Sequence, residues 1–150
     1  MAEYTYNAVQ LVQPDRAIIF NDSIPCTKGY VIHRGESGVF TLRGIVNNAC
    51  ACFARYRISF NANIAVPTGS TPGEIAVAMA INGEPLPATT AIVTPAAVDE
   101  FFNVAVSKVV TVPRGCCVPI AIENVTEGVG GAAPIPINVQ NANIEIDRIA

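Results

Sequence analysis

Between residues 52 and 66 the chain alternates with a period of two. Cys52, Ala54, Tyr56, Ile58, Phe60, Ala62, Ile64 and Val66 take one parity, and Arg55, Arg57, Ser59, Asn61 and Asn63 take the other. A helix, with about 3.6 residues per turn, would scatter these side chains round its circumference, whereas a strand sends successive side chains to opposite faces. The stretch therefore reads as a long β-strand with one face in a core. Residues 74–81 repeat the pattern, with Ile75, Val77, Met79 and Ile81 against Glu74 and three alanines, and the following Asn82-Gly83 marks a hairpin turn.

Further strands are read at 16–20, 30–33, 38–46, 88–94, 100–112, 117–125 and 135–149, the last with a break near Asn141. In 100–112 the even positions carry Phe102, Val104, Val106, Val110 and Val112, interrupted by Lys108, and they read as the core face. Aliphatic usage agrees with strands: 18 Val and 17 Ile stand against 3 Leu, and stiff β-branched side chains suit a pleated sheet better than a helix. Turn formers punctuate the runs at Asn21-Asp22-Ser23, Pro113-Arg114-Gly115 and the glycine-rich stretch 128–133. Eight to ten antiparallel strands at this spacing make an all-β sandwich or jelly roll. With 150 residues, the expected layout is a short leader or attachment arm at 1–13 and a single domain at 14–150.

Charge excludes some partners. Charged residues are only 14% of the chain and the net charge is -3, so neither nucleic acid nor an anionic membrane finds a basic footprint. No apolar run is long enough to span a bilayer as a helix, and the opening Met1-Ala2-Glu3-Tyr4 lacks a secretory signal. The expectation is a protein made in a cytoplasm that reaches the outside, if at all, as part of a particle.

Motifs for chemistry are sparse. His33 is the one histidine, and no Gly-x-Ser-x-Gly elbow accompanies any serine, so it reads as a strand-end residue rather than a triad member. Cys26, Cys50, Cys52, Cys116 and Cys117 lack zinc-ligand spacing. They read as free thiols packed like small hydrophobes, with a disulfide or cluster between Cys50 and the 116–117 pair as the alternative. Asp99-Glu100 is an adjacent acidic pair whose side chains would point apart in a strand. Asn21-Asp22-Ser23 and Asn124-Val125-Thr126 match the glycosylation sequon, to no effect without a signal peptide. The reading is a protein without catalytic residues, metal or cofactor, not an enzyme.

Three segments carry a resemblance: Tyr56-Arg57-Ile58-Ser59, then Ala80-Ile81-Asn82-Gly83-Glu84-Pro85-Leu86-Pro87, and the closing Asn141-Ala142-Asn143-Ile144-Glu145-Ile146-Asp147-Arg148-Ile149-Ala150. Over 38–150 the chain resembles the carboxy-terminal domain of BclA-type spore-surface glycoproteins. That resemblance implies a TNF-like jelly roll forming tight homotrimers. The collagen-like Gly-x-y stalk of that family is missing here. Through Ile92-Val93-Thr94-Pro95-Ala96-Ala97-Val98 and Pro113-Arg114-Gly115-Cys116-Cys117 the chain also resembles short phage virion proteins of gut Firmicutes. Together these imply a structural protein of a virion, a homotrimer decorating the capsid or tipping a head or tail fibre, with capsid or tail proteins as partners. The other reading is a trimeric receptor- or glycan-binding module.

Assembly should use the odd faces of the long strands, which are not uniformly polar. Phe53 and Phe101 oppose the core parity of their strands, and with Arg55 and Asn103 they are the expected trimer interface. Each ring could equally be a lone exposed aromatic. Across the core, the even face of 52–66 should pack against Ile75, Val77, Met79 and Ile81.

Overall fold

A computed structural model of the chain describes residues 1–24, 29–128 and 131–150. Among the described residues twelve strands run in chain order: β1 (Ala2–Tyr6), β2 (Gln10–Val12), β3 (Asp22–Ile24), β4 (Val31–His33), β5 (Phe40–Arg43), β6 (Phe53–Ala65), β7 (Ile75–Ile81), β8 (Glu84–Pro85), β9 (Ala91–Val93), β10 (Phe102–Pro113), β11 (Cys117–Asn124) and β12 (Ile137–Arg148), with a 3-10 turn at Pro87–Thr89. They form two antiparallel sheets. The first has the order β10-β6-β12-β1-β3 with β2 also on β12, and the second β4-β5-β11-β7-β8 with β9 also on β7. This is the all-β jelly roll that the alternation and turn spacing imply.

The sequence explains the layers. Ala54, Tyr56, Ile58, Phe60, Ala62 and Ile64 of β6 are at most 1% exposed, and they share one core with Ile75, Val77 and Met79 from the opposing sheet. Ile81 is half-buried at its margin. The alanines on the other parity of β7, Ala76, Ala78 and Ala80, are buried as well. The Asn82-Gly83 turn carries positive φ at both residues, 54° and 83°, as the tightest two-residue hairpin demands.

The break expected near Asn141 is a bulge. The pairing of β12 with β6 shifts between Gln140 and Asn143, and Asn141 sits at φ 53°, a left-handed conformation that Asn tolerates better than other non-glycine residues. Either side of this bulge, β12 receives β1 (Ala2 opposite Ile146) and β2 (Ile137 opposite Val12).

Three expectations are corrected. Residues 1–13 do not stand apart from the domain: β1 and β2 lie in the first sheet, with Ala2, Tyr4 and Val12 in its core. Residues 16–20 form no named strand. Ile18 and Phe20 are fully buried, but the backbone makes single bonds to Ile122 and Ser37 and one bridge from Ala17 to Glu123. Phe102, placed on the core face by parity, is 38% exposed because it lies at the outer end of an edge strand, while Val104, Val106, Val110 and Val112 do enter the core.

Candidate functional site

The outward face of the first sheet runs across the long strands β10, β6 and β12 and on to β1. Four cross-strand rows can be read from its pairing. Val109 lies opposite Arg57 and then Asp147; Ser107 opposite Ser59, then Glu145 and Glu3; Ala105 opposite Asn61, then Asn143 and Thr5; and Asn103 opposite Asn63 and then Gln140. Toward the edge strand β10 the side chains are small and uncharged. Toward β12 and β1 the face turns acidic, while Arg55 and Arg57 stand on β6. Asn103 Nδ2 donates to Asn63 Oδ1 at 3.3 Å, and Asn143 Nδ2 donates to Glu3 Oε1 at 2.7 Å. Such bonds hold these amides in place on the face.

The four residues expected at an interface separate. Phe53 and Arg55 share one end of this face: Phe53 is 41% exposed, and the Arg55 guanidinium lies 4.9 Å from its ring centroid. Asn103 stands on the same face at the far end of the β6–β10 pair, where β10 begins, whereas Phe53 pairs with Pro113 where β10 ends. Phe101 precedes β10 and is half-buried. The sequence reading missed the amide rows and the acids of β1, since only register shows which residues of distant strands become neighbours.

Edge strand β10 carries its own protection. Lys108 has the parity of the core valines, yet it is exposed. An inward-pointing lysine on an edge strand obstructs open-ended strand addition, while leaving the outward face free to pack.

The opposite sheet bears a cavity of about 530 Å³ with Ala76 in its lining, hydroxyls from Thr90 and Thr126, and carboxylates from Asp15, Glu74 and Glu127. Beside it, burial pushes the Glu123 carboxyl up from the usual carboxylate range, with Asp15 and Glu84 adding like-charge repulsion. His33 lies elsewhere, at the end of β4. Its ring stacks on Phe40 at 4.6 Å and tilts against Tyr4 at 4.8 Å, and Nε2 donates to the Ser37 carbonyl at 2.7 Å. These contacts give the imidazole a packing role.

Two readings from the sequence change character. Asn124 of the second sequon is fully buried, with Nδ2 donating to the carbonyls of Val12 and Ile135 and Oδ1 accepting from Thr126 N–H. It is a clasp between strand ends, closed to a glycosyltransferase. Cys50, Cys52, Cys116 and Cys117 are free but exposed, not packed in the core, and Cys26 lies outside the described residues. Among the described residues no three His, Cys, Asp or Glu side chains gather as a metal-holding group.

No protein-family model matches the chain, and no curated protein matches its sequence. Solved structures do align. The globular domain of zebrafish complement 1qA protein is 13% identical over 99% of this chain and 96% of its own, with a TM-score of 0.56. The EclA C-terminal domain, a sugar-binding protein, is 12% identical over 95% and 79%, with a TM-score of 0.43. The CBM22-1 xylan-binding domain from Paenibacillus barcinonensis Xyn10C is 8% identical over 99% and 87%, with a TM-score of 0.35. At these identities the first alignment establishes a shared TNF-like jelly-roll fold, and the looser two add nothing to it.

Proposed function

We propose that the chain is a non-enzymatic assembly and recognition module, a jelly roll that trimerises through the outward face of its first sheet and displays the second sheet to a partner. The observation that carries this reading is the division of that face. Small uncharged side chains on β10 permit close approach, Arg55 and Arg57 stand on β6, and Glu3 and Glu145 lie toward β1. In a cyclic trimer each copy presents two different patches to its two neighbours, so the arginine side of one copy meets the acidic side of the next. Such complementarity favours register and encounter more than raw affinity.

Sedimentation of the purified chain at micromolar concentration tests it. A trimer is expected, and Ala105→Glu, a charge in the neutral row, should yield monomers with unchanged β-type circular dichroism. A wild-type monomer would overturn the reading.

The finer setting carried over from the sequence resemblances is a phage particle, as a decoration on its capsid or a fibre tip. Immuno-electron microscopy of particles from the host tests that placement. A second reading, glycan binding, is favoured by the cavity over Ala76, where hydroxyl and carboxylate groups sit beside apolar Ile92 and Val125, a mix that suits sugar hydroxyls and sugar C–H faces. A glycan array probed with wild type and Glu74→Gln/Glu127→Gln checks it. The expected result is a hit that the double variant loses.

A further inference from the structure

Where β10 turns into β11 the chain crosses from the first sheet to the second in a single tight turn. Pro113 closes β10, Cys117 opens β11, and Cys116 N–H donates to the Pro113 carbonyl at 3.0 Å. Packed sheets lie ~10 Å apart in general, but the two ends of such a turn come within about 7 Å of each other, so the layers converge here. Each layer brings a cysteine to the crossing. Arg114 N–H donates to the Cys52 carbonyl at 2.9 Å and extends the β6–β10 ladder by one residue; Gly44 N–H donates to the Cys116 carbonyl at 2.8 Å and does the same for the β5–β11 ladder. Cys52 has the parity of Ala54 and Tyr56 on β6, and Cys116 that of Val118 and Ile120 on β11, all four of them core residues. Alternation therefore turns both side chains inward, each toward the opposite layer, and turns Cys117 away. The segments pack closely, for Gly44 is buried and a Cβ there would collide with the Pro113 carbonyl oxygen. Both thiols are nevertheless free and exposed at this margin of the core, within reach of a dissolved oxidant.

We propose that Cys52 and Cys116 form an intrachain disulfide, a redox-controlled clasp that pins the two sheets together where β10 turns into β11. It stands whether or not the chain trimerises. Cys50 is the competing thiol, but it sits in the turn ahead of β6 with its N–H held by Asn48 Oδ1 at 2.9 Å, and it is the Cys50 carbonyl that Cys52 Sγ meets, at 4.0 Å. The oxidant is a small-molecule disulfide of the glutathione type. The thiolate of one cysteine attacks a sulfur of that disulfide and forms a mixed disulfide, expelling one small thiolate. The thiolate of the other then attacks the protein sulfur of the mixed disulfide and expels the second. Two protein thiols have become one disulfide, and the two small thiolates take up the two protons released. The bond closes a covalent loop that holds every strand from β6 to β10, and a loop of that length restricts the unfolded chain far more than the folded one.

The full chain is treated with glutathione disulfide, its remaining thiols are alkylated, and the products are examined by denaturing non-reducing gel, by mass and by peptide mapping, with thermal melts of the oxidised and reduced forms alongside. Expected are a single-chain band, one internal disulfide joining the Cys52 and Cys116 peptides, and a melting temperature roughly 5–15 °C higher than in dithiothreitol. The link should survive in Cys50→Ser/Cys117→Ser and vanish in Cys52→Ser and in Cys116→Ser, each variant keeping β-type circular dichroism when reduced. A link that persists in Cys52→Ser or in Cys116→Ser, a bond between Cys50 and Cys52, links only between chains, glutathione adducts without a protein disulfide, or no oxidation at all overturns the pairing. A Cys52–Cys116 bond that leaves the melting temperature unchanged overturns the clasp.

Discussion

Asn124 shows how much one buried side chain can hold. Its amide satisfies two carbonyls, those of Val12 and Ile135, and its oxygen takes the Thr126 N–H, while the Thr126 hydroxyl accepts from Ala76 N–H at 3.1 Å. Asn124→Ala would strand these groups without water, at about 1–3 kcal/mol for each one left unpaired, and denaturant titration should read a loss in that range or above. In the core, Ile58→Ala or Phe60→Ala should cost about 2–5 kcal/mol through lost transfer energy and the cavity left behind, measured the same way. Glu123 makes a pH-dependent prediction. Its folded pKa is raised, so the native state holds a proton that the unfolded state releases. Folding therefore suffers no penalty from this residue below the unfolded value, and the penalty grows as pH rises from there through the folded value, above which it is constant. Glu123→Gln should raise the melting temperature slightly at neutral pH and leave it unchanged near pH 3. A gain that persists in acid would contradict the assigned cause.

Among the elements, the long strands were legible because each buries one face over many residues: β6, β7, β10 and β11 fall within a few residues of the runs read from periodicity. The bulge of β12 was legible through Asn141. Of the short strands, β4, β5 and β9 fall inside the runs read at 30–33, 38–46 and 88–94, whereas β1, β2 and β3 gave no signal. In β1 only Ala2 and Tyr4 are buried, too few to establish a period, and β3 is exposed throughout, its pairing with β1 supplied by the backbone. Residues 16–20 misled for the converse reason, since Ile18 and Phe20 alternate and are buried without belonging to a ladder. The candidate face was half legible: parity turned Phe53, Arg55 and Asn103 outward, but no pattern along the chain tells that Glu3 lies beside Glu145. At this scale the edge strand carries its own test. Lys108→Val would remove the one charge on the core parity of β10, and light scattering should show concentration-dependent aggregation that the wild type lacks.

For the whole molecule, the proposed trimer places its contacts on the first sheet. Phe53→Asp puts a carboxylate at one end of that face, and the expected result is a smaller sedimentation coefficient with unchanged β-type circular dichroism. Burying the Phe53 ring would otherwise be worth roughly 1.5–3 kcal/mol per subunit. The position of β12 also bears on the order of events when the chain is made. The last of the strands to leave the ribosome sits inside the first sheet, between β6 and β1, and receives the first residues of the chain along its length. Until it emerges, β6 lacks one of its neighbours and β1 lacks its main one. The sheet can close only by joining segments nearly the whole chain apart, a slow and entropically costly search. Folding of this domain thus waits for β12 to emerge, and until then the nascent chain, with β6 unpaired along one edge, is open to aggregation.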